Sequence, residues 1–152
     1  MATRSIIAVP QADGWQGRFC ESDGHVDWMG RTLWKLVDRH GLQAVRKTLV
    51  TGDTYGWAYL NPDQTGPLDR SRSDGRYVRV DGYGVAFTPL HGGATAGTWL
   101  LPGDERLYGA EWVYVLADDG LWVQNDDHLP IPAVRWDGQP PDWNHLAVRA
   151  SW

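Results

Sequence analysis

The segment spanning residues 17–41 constrains the fold of this chain more than any other. Within it a short apolar strand breaks at Asp23-Gly24, and a compact polar and aromatic stretch hands over to the clearest amphipathic helix in the sequence. Met29, Leu33, Leu36, Val37 and His40 recur at helical spacing, with Arg31, Lys35, Asp38 and Arg39 on the opposite side. Asp27 stands just before Trp28, where a carboxylate can accept hydrogen bonds from the unpaired N–H groups of a first helical turn. Gly41 suits a left-handed cap. Sheet and helix must therefore coexist in the fold.

The flanking patterns extend this frame. Residues 5–9 read as a buried strand ended by Pro10, residues 11–14 as hairpin-turn chemistry around Asp13-Gly14, and residues 15–21 as the returning strand. Beyond Gly41, Leu42, Val45 and Leu49 predict a second short helix that ends near Gly52. Residues 51–76 are irregular apart from an aromatic island at 55–60. Residues 77–80 and 85–88 are strands about a Gly-rich bend, and 91–97 a flexible loop. The strongest hairpin signal joins 111–116 to 121–124. Pro130, Pro132, Pro140 and Pro141 restrict the tail to short strands at 133–136 and 146–149. The expected fold is α+β: an antiparallel sheet from an N-terminal hairpin and C-terminal strands, packed on a central pair of short helices, in one domain over residues 1–152.

A chain of 152 residues is long enough to bury one core without staples. No apolar run approaches the roughly 18 residues of a membrane span, and the N-terminal apolar run is too short for a signal peptide, so no membrane partner and a cytoplasmic location are expected. The single cysteine, Cys20, has no internal disulfide partner. Glu21 and Asp23 beside it would raise a thiol pKa, which favours a buried structural thiol over a nucleophile. Residues 1–100 carry 11 basic and 10 acidic side chains, and residues 101–152 carry 3 and 9. That acidic last third argues against general nucleic-acid binding. Ten tryptophans stand against two phenylalanines; about half of them must fill core volume, and the placement of Trp57, Trp112 and Trp143 decides how many rings remain for binding.

Candidate chemistry is sparse. Neither Gly82-Tyr83-Gly84 nor Gly92-Gly93 opens a predicted helix, so phosphate-loop and dinucleotide fingerprints are absent, and no cofactor is expected. Asp126-Asp127-His128 and Asp23-Gly24-His25 are the only tight Asp/His groups; both read better as solvated turns than as metal ligands. Ser22, His25 and Asp23 or Asp27 contain the residue types of a nucleophilic site, but within one turn they fit a turn with a helix cap better. Arg70, Arg72, Arg76 and Arg79 form a basic cluster that Asp69, Asp74 and Asp81 balance. Tyr55, Trp57 and Tyr59 alternate with smaller residues, which fits a stacking platform and a core strand equally.

Met1-Ala2-Thr3-Arg4-Ser5, Cys20, Asp23-Gly24, Tyr55-Gly56-Trp57, Gly82-Tyr83-Gly84, Glu111-Trp112 and Pro141-Asp142-Trp143 together carry a resemblance. In these short motifs, spread over nearly the whole chain, it resembles a set of small uncharacterised proteins of phages, actinobacteria and their mobile elements. Their Met-Ala-Thr-Arg-Ser start is followed by a strand that ends in Cys-His-Trp-Asp-Gly-Tyr-Pro and then a helix. Here Glu21-Ser22 replaces His-Trp and His25-Val26 replaces Tyr-Pro. The resemblance implies a shared fold and a mobile-element context, and no particular activity.

The expectation is a non-enzymatic accessory protein of phage or mobile-element type that binds a small polar, nucleotide-like ligand or a host protein. Arg4, Asp23, His25, Trp28, Tyr55, Trp57 and Tyr83 are expected to line its site: rings to stack, arginine to hold anionic groups, aspartate to accept hydrogen bonds. The alternatives are a small hydrolase using Asp23 and His25 as acid and base, and a homo-oligomeric interaction module joined through surface tryptophans.

Overall fold

The computed structural model describes residues 3–125 and 131–144. The fold is α+β, with one eight-stranded sheet and few helices. β1 (Ser5–Gln11) and β2 (Gly14–Cys20) form a tight antiparallel hairpin, with Ser5 opposite Cys20 and Gln11 opposite Gly14. The chain then builds α1 (Val26–His40), α2 (Leu42–Arg46) and a π-helical turn over Lys47–Thr51 before β3 (Trp57–Leu60). After β4 (Tyr77–Val80) and β5 (Gly84–Phe87) come the short α3 (Asp104–Leu107), β6 (Trp112–Leu116), β7 (Gly120–Asn125) and β8 (Ile131–Arg135). In space the strands lie in the order β4-β5-β3-β2-β1-β6-β7-β8.

The sheet is mixed, which corrects the antiparallel expectation. β1 runs parallel to β6, and β2 runs parallel to β3. A parallel neighbour needs a long crossover, and the helical segment between β2 and β3 supplies one. The aromatic island forms β3, so strands from the middle of the chain extend a sheet that was expected from its two ends alone.

Both faces of the sheet are covered, which accounts for the poor alternation in β1. Ile7 and Val9 join a core with Met29, Leu33, Leu36, Val45 and Leu49 of the helical segment. Ile6 and Ala8 join a second core with Phe19, Val85, Phe87, Leu100 and Val113. Each fully buried Met or Leu on α1 contributes about 1.5–3 kcal/mol relative to exposure, and this burial sets the helix orientation.

Local details depart from the sequence pattern where tertiary contacts intervene. β1 continues through Pro10, because Ala8 is its last residue paired to β6 and a missing N–H is tolerated beyond it. Pro132 is likewise accommodated in β8, at the edge of the sheet. His25, not Asp27, occupies the N-cap position of α1, with no side-chain cap; Asp27 lies inside the first turn. Gly41 ends α1 at φ +85°, its N–H donating to Val37 O at 2.8 Å. Gly52 closes the π-helical turn with a 2.8 Å bond from its N–H to Lys47 O, and a Cβ there would come within 2.6 Å of that oxygen. The strand expected at 146–149 and the Asp126-Asp127-His128 group lie outside the described residues.

Candidate functional site

Arg4, Asp23, His25, Trp28 and Tyr83 gather at one end of the sheet, where β2 and β3 finish and β1 and β6 begin. Backbone bonds tie this end together: Gly24 N–H donates to Thr3 O, Glu111 N–H to Arg4 O, and Asn61 N–H to Tyr83 O, each at 2.9 Å. Trp28 leans across it, its indole N–H donating to Leu60 O at 3.3 Å. These residues line a rim and do not converge on one pocket. His25 meets Trp112 of β6 edge-on at 5.3 Å, while Tyr83 precedes β5 and stacks on His40 at 4.8 Å. Four strand spacings separate β5 from β6, about 19 Å along the sheet.

Asp23 adopts φ +61°, a left-handed conformation that aspartate tolerates better than most residues. The carboxylate that pairs with His25 is Asp27, at 2.7 Å from Nδ1, with both side chains about half exposed. Behind the turn, Tyr114 donates its hydroxyl hydrogen to Gly24 O, and Cys20 donates to Ser22 O at 3.4 Å. Burial pushes the Cys20 thiol up to about 12, against the opposing effect of the Ser22 bond. Burial also raises the Tyr114 phenol well above its usual range, with the Asp27 charge acting in the same direction. Both groups are neutral and structural at physiological pH.

Tyr55 and Trp57 belong instead to two concave surfaces beside the π-helical turn. A cleft of about 460 Å³ opens between the helical segment and the β3–β5 strands, walled by Trp57, Val80, Ala86 and Phe87 and edged by Lys47 and Thr48. A second cleft of about 380 Å³, lined by Arg18, Tyr55 and Gly97, shares Gly52, Asp53 and Thr54 with the first. Trp57 is 1% exposed and donates its indole N–H to Leu49 O at 3.0 Å, so it serves as wall and core together. Tyr55 is 36% exposed and lies against Gly97, where a Cβ would come within 3.0 Å of its ring. Trp112 and Trp143 are also core.

Arg18 is the residue that sequence reasoning missed. It is 6% exposed on β2, with Nε–H donating to Val50 O at 3.2 Å and Nη1–H to Gly97 O at 3.1 Å. Its guanidinium lies 3.6 Å from the centroid of the Trp99 ring, a cation–π contact. Burial pulls its pKa below the ordinary value, and Tyr55 acts in the other direction. The available signal was an arginine between Gly17 and Phe19 in a strand otherwise destined for the core. Two members of the more conspicuous arginine cluster are ion-paired, Arg72 with Asp69 at 3.6 Å and Arg76 with Asp74 at 3.5 Å, while Arg79 donates to Pro67 O at 3.4 Å.

Comparison of the chain with protein families, curated proteins and solved structures finds no match. Among the described residues, no three His, Cys, Asp or Glu side chains gather as a metal site, and no helix is long and apolar enough to cross a membrane.

Proposed function

We propose that the protein is a non-enzymatic accessory protein of phage or mobile-element type that binds a small polar, nucleotide-like ligand in the paired clefts beside the π-helical turn. The observation that carries this reading is their continuity. An apolar wall of Trp57, Val80 and Phe87 runs into a polar region of Asp53, Thr54, Tyr55 and Arg18, through lining residues common to both. Ligand pockets of this size class combine apolar area with a few placed polar groups, and π-helical turns recur beside functional sites. A cytoplasmic setting accompanies the proposal, since the single buried Cys20 needs no disulfide partner.

The hydrolase alternative is less well supported. His25 pairs with Asp27 and not with Asp23, and neither His25 nor Asp23 lines the clefts described above. Nucleotide and sugar panels, followed by tryptophan fluorescence and thermal shift, test the proposal. A ligand that quenches fluorescence and raises the melting temperature supports it, and silence across both panels removes it.

A further inference from the structure

We infer that the ligand of these clefts carries an oxyanion, a phosphate or a carboxylate, and that Arg18 holds it in the smaller cleft. This rests on the ligand-binding function proposed above and adds the charge that the ligand must bring. A guanidinium stays protonated in proteins, and a buried charge with no opposite charge beside it is strongly destabilising. The ion-paired carboxylates around the molecule are engaged elsewhere: Asp63 with Lys35 and Arg39, Asp118 with Arg46. Among the described residues none makes an ion pair with Arg18, whose hydrogen bonds go to carbonyls that supply dipoles and no net charge.

The surroundings of Arg18 are those of a fork held for an oxyanion. Val50 O, Gly97 O and the Trp99 ring together fix the guanidinium plane. Its remaining N–H groups have no partner among the described residues, in a side chain that lines the cleft. Arginine positioned in this way is suited to bidentate capture of phosphate or carboxylate. Thr54 adds a second donor, because its oxygen accepts from Gly56 N–H at 3.4 Å and its own O–H is left to donate. Asp53 lines both clefts and would repel an anion placed against it, which restricts the oxyanion to the Arg18 side. The same carboxylate is placed to accept from hydroxyl groups in the middle of a ligand, leaving a flat apolar end for the wall at Trp57 and Phe87. Phosphate, sugar hydroxyls and base in that order make a nucleoside monophosphate the probe of choice.

Calorimetry of the full chain against nucleoside monophosphates, their nucleosides and benzoate at fixed ionic strength tests this. The expected result is a monophosphate that binds at least about tenfold more tightly than its nucleoside, and an Arg18→Gln variant that loses this difference while still binding the nucleoside. Benzoate binding that depends on Arg18, without a monophosphate preference, assigns the oxyanion as carboxylate and upholds the inference. Because Arg18 also ties two loops together, a wild-type measurement stands beside the variant. The Arg18 Nε–H resonance should move on adding inorganic phosphate and not on adding chloride at equal ionic strength. Equal affinity for nucleoside and monophosphate, with an Arg18 resonance that phosphate leaves in place, overturns the anion and keeps the cleft as a binding site. Absence of all binding removes both.

Discussion

The ring of Trp143 occupies the space over Gly30 of α1, where a Cβ would come within 2.7 Å of Cε3 and Cζ3. Trp143 is 3% exposed and also meets Trp34 at 6.2 Å. Glycine inside a helix ordinarily costs about 0.5–1 kcal/mol relative to alanine. Here that cost admits an indole against the helix backbone. Gly30→Ala should therefore lower stability by about 1–3 kcal/mol through overpacking, where an unobstructed site would gain stability. Urea denaturation measures the sign; a stabilised variant would show that the ring does not press on the helix.

Tyr114 and His25 offer a contrast between a buried and an exposed polar contact at the same turn. Tyr114→Phe leaves the carbonyl of Gly24 without its donor and should cost about 1–3 kcal/mol. His25→Ala breaks a half-exposed pair with Asp27 and should cost less than about 1 kcal/mol through that pair. Paired unfolding curves settle the order, and a larger loss for His25→Ala would mean that its contact with Trp112 governs the turn.

Cys20 makes stability depend on alkaline pH. Its folded pKa, about 12, lies above the ordinary 9.0. The folded state therefore holds the proton more tightly than the unfolded state, and the resulting stability is complete below pH 9 and declines as pH rises toward 12. By pH 10 the loss from this group should reach about 1 kcal/mol. The stability difference between wild type and Cys20→Ala, followed from pH 8 to 10, should narrow by that amount. A difference that stays constant would place the thiol in water.

Ala44 is exposed on α2 at the edge of the larger cleft. Ala44→Trp would put an indole into that space, at a helix-propensity cost of less than about 0.7 kcal/mol. Any ligand that shifts the wild-type melting temperature should bind this variant at least about tenfold more weakly, with the fold preserved by circular dichroism. Unchanged binding would move the site away from the cleft.

Legibility in the sequence followed range along the chain. The β1–β2 hairpin, the apolar face of α1, the Gly41 terminus and the β6–β7 hairpin were all readable, because each depends on residues within a turn or two of one another. The two parallel pairings were not readable, since strand patterns do not name their partners. Asp27 was misplaced as the cap because a short polar stretch has more than one residue able to precede a helix. At the candidate site, Tyr55 and Trp57 were singled out by their aromatic pattern. Nothing local announced that Arg18 would be buried beside them: Leu100 pairs with Gly17, Gly97 O accepts from Arg18, and Trp99 covers the guanidinium, all from a segment far along the chain.

The sequence by itself therefore determined where the chain turns, which stretches become strand or helix, and which face of α1 is apolar. Those properties arise from backbone dihedral preference and side-chain periodicity, which a few consecutive residues set. Only the tertiary structure decided that Trp57, Trp112 and Trp143 are core, that Asp27 and not Asp23 meets His25, and that Arg18 lines a cleft without an ion-pair partner among the described residues. Burial and charge pairing depend on what arrives from distant parts of the chain to exclude water, and the sheet order brings those parts together.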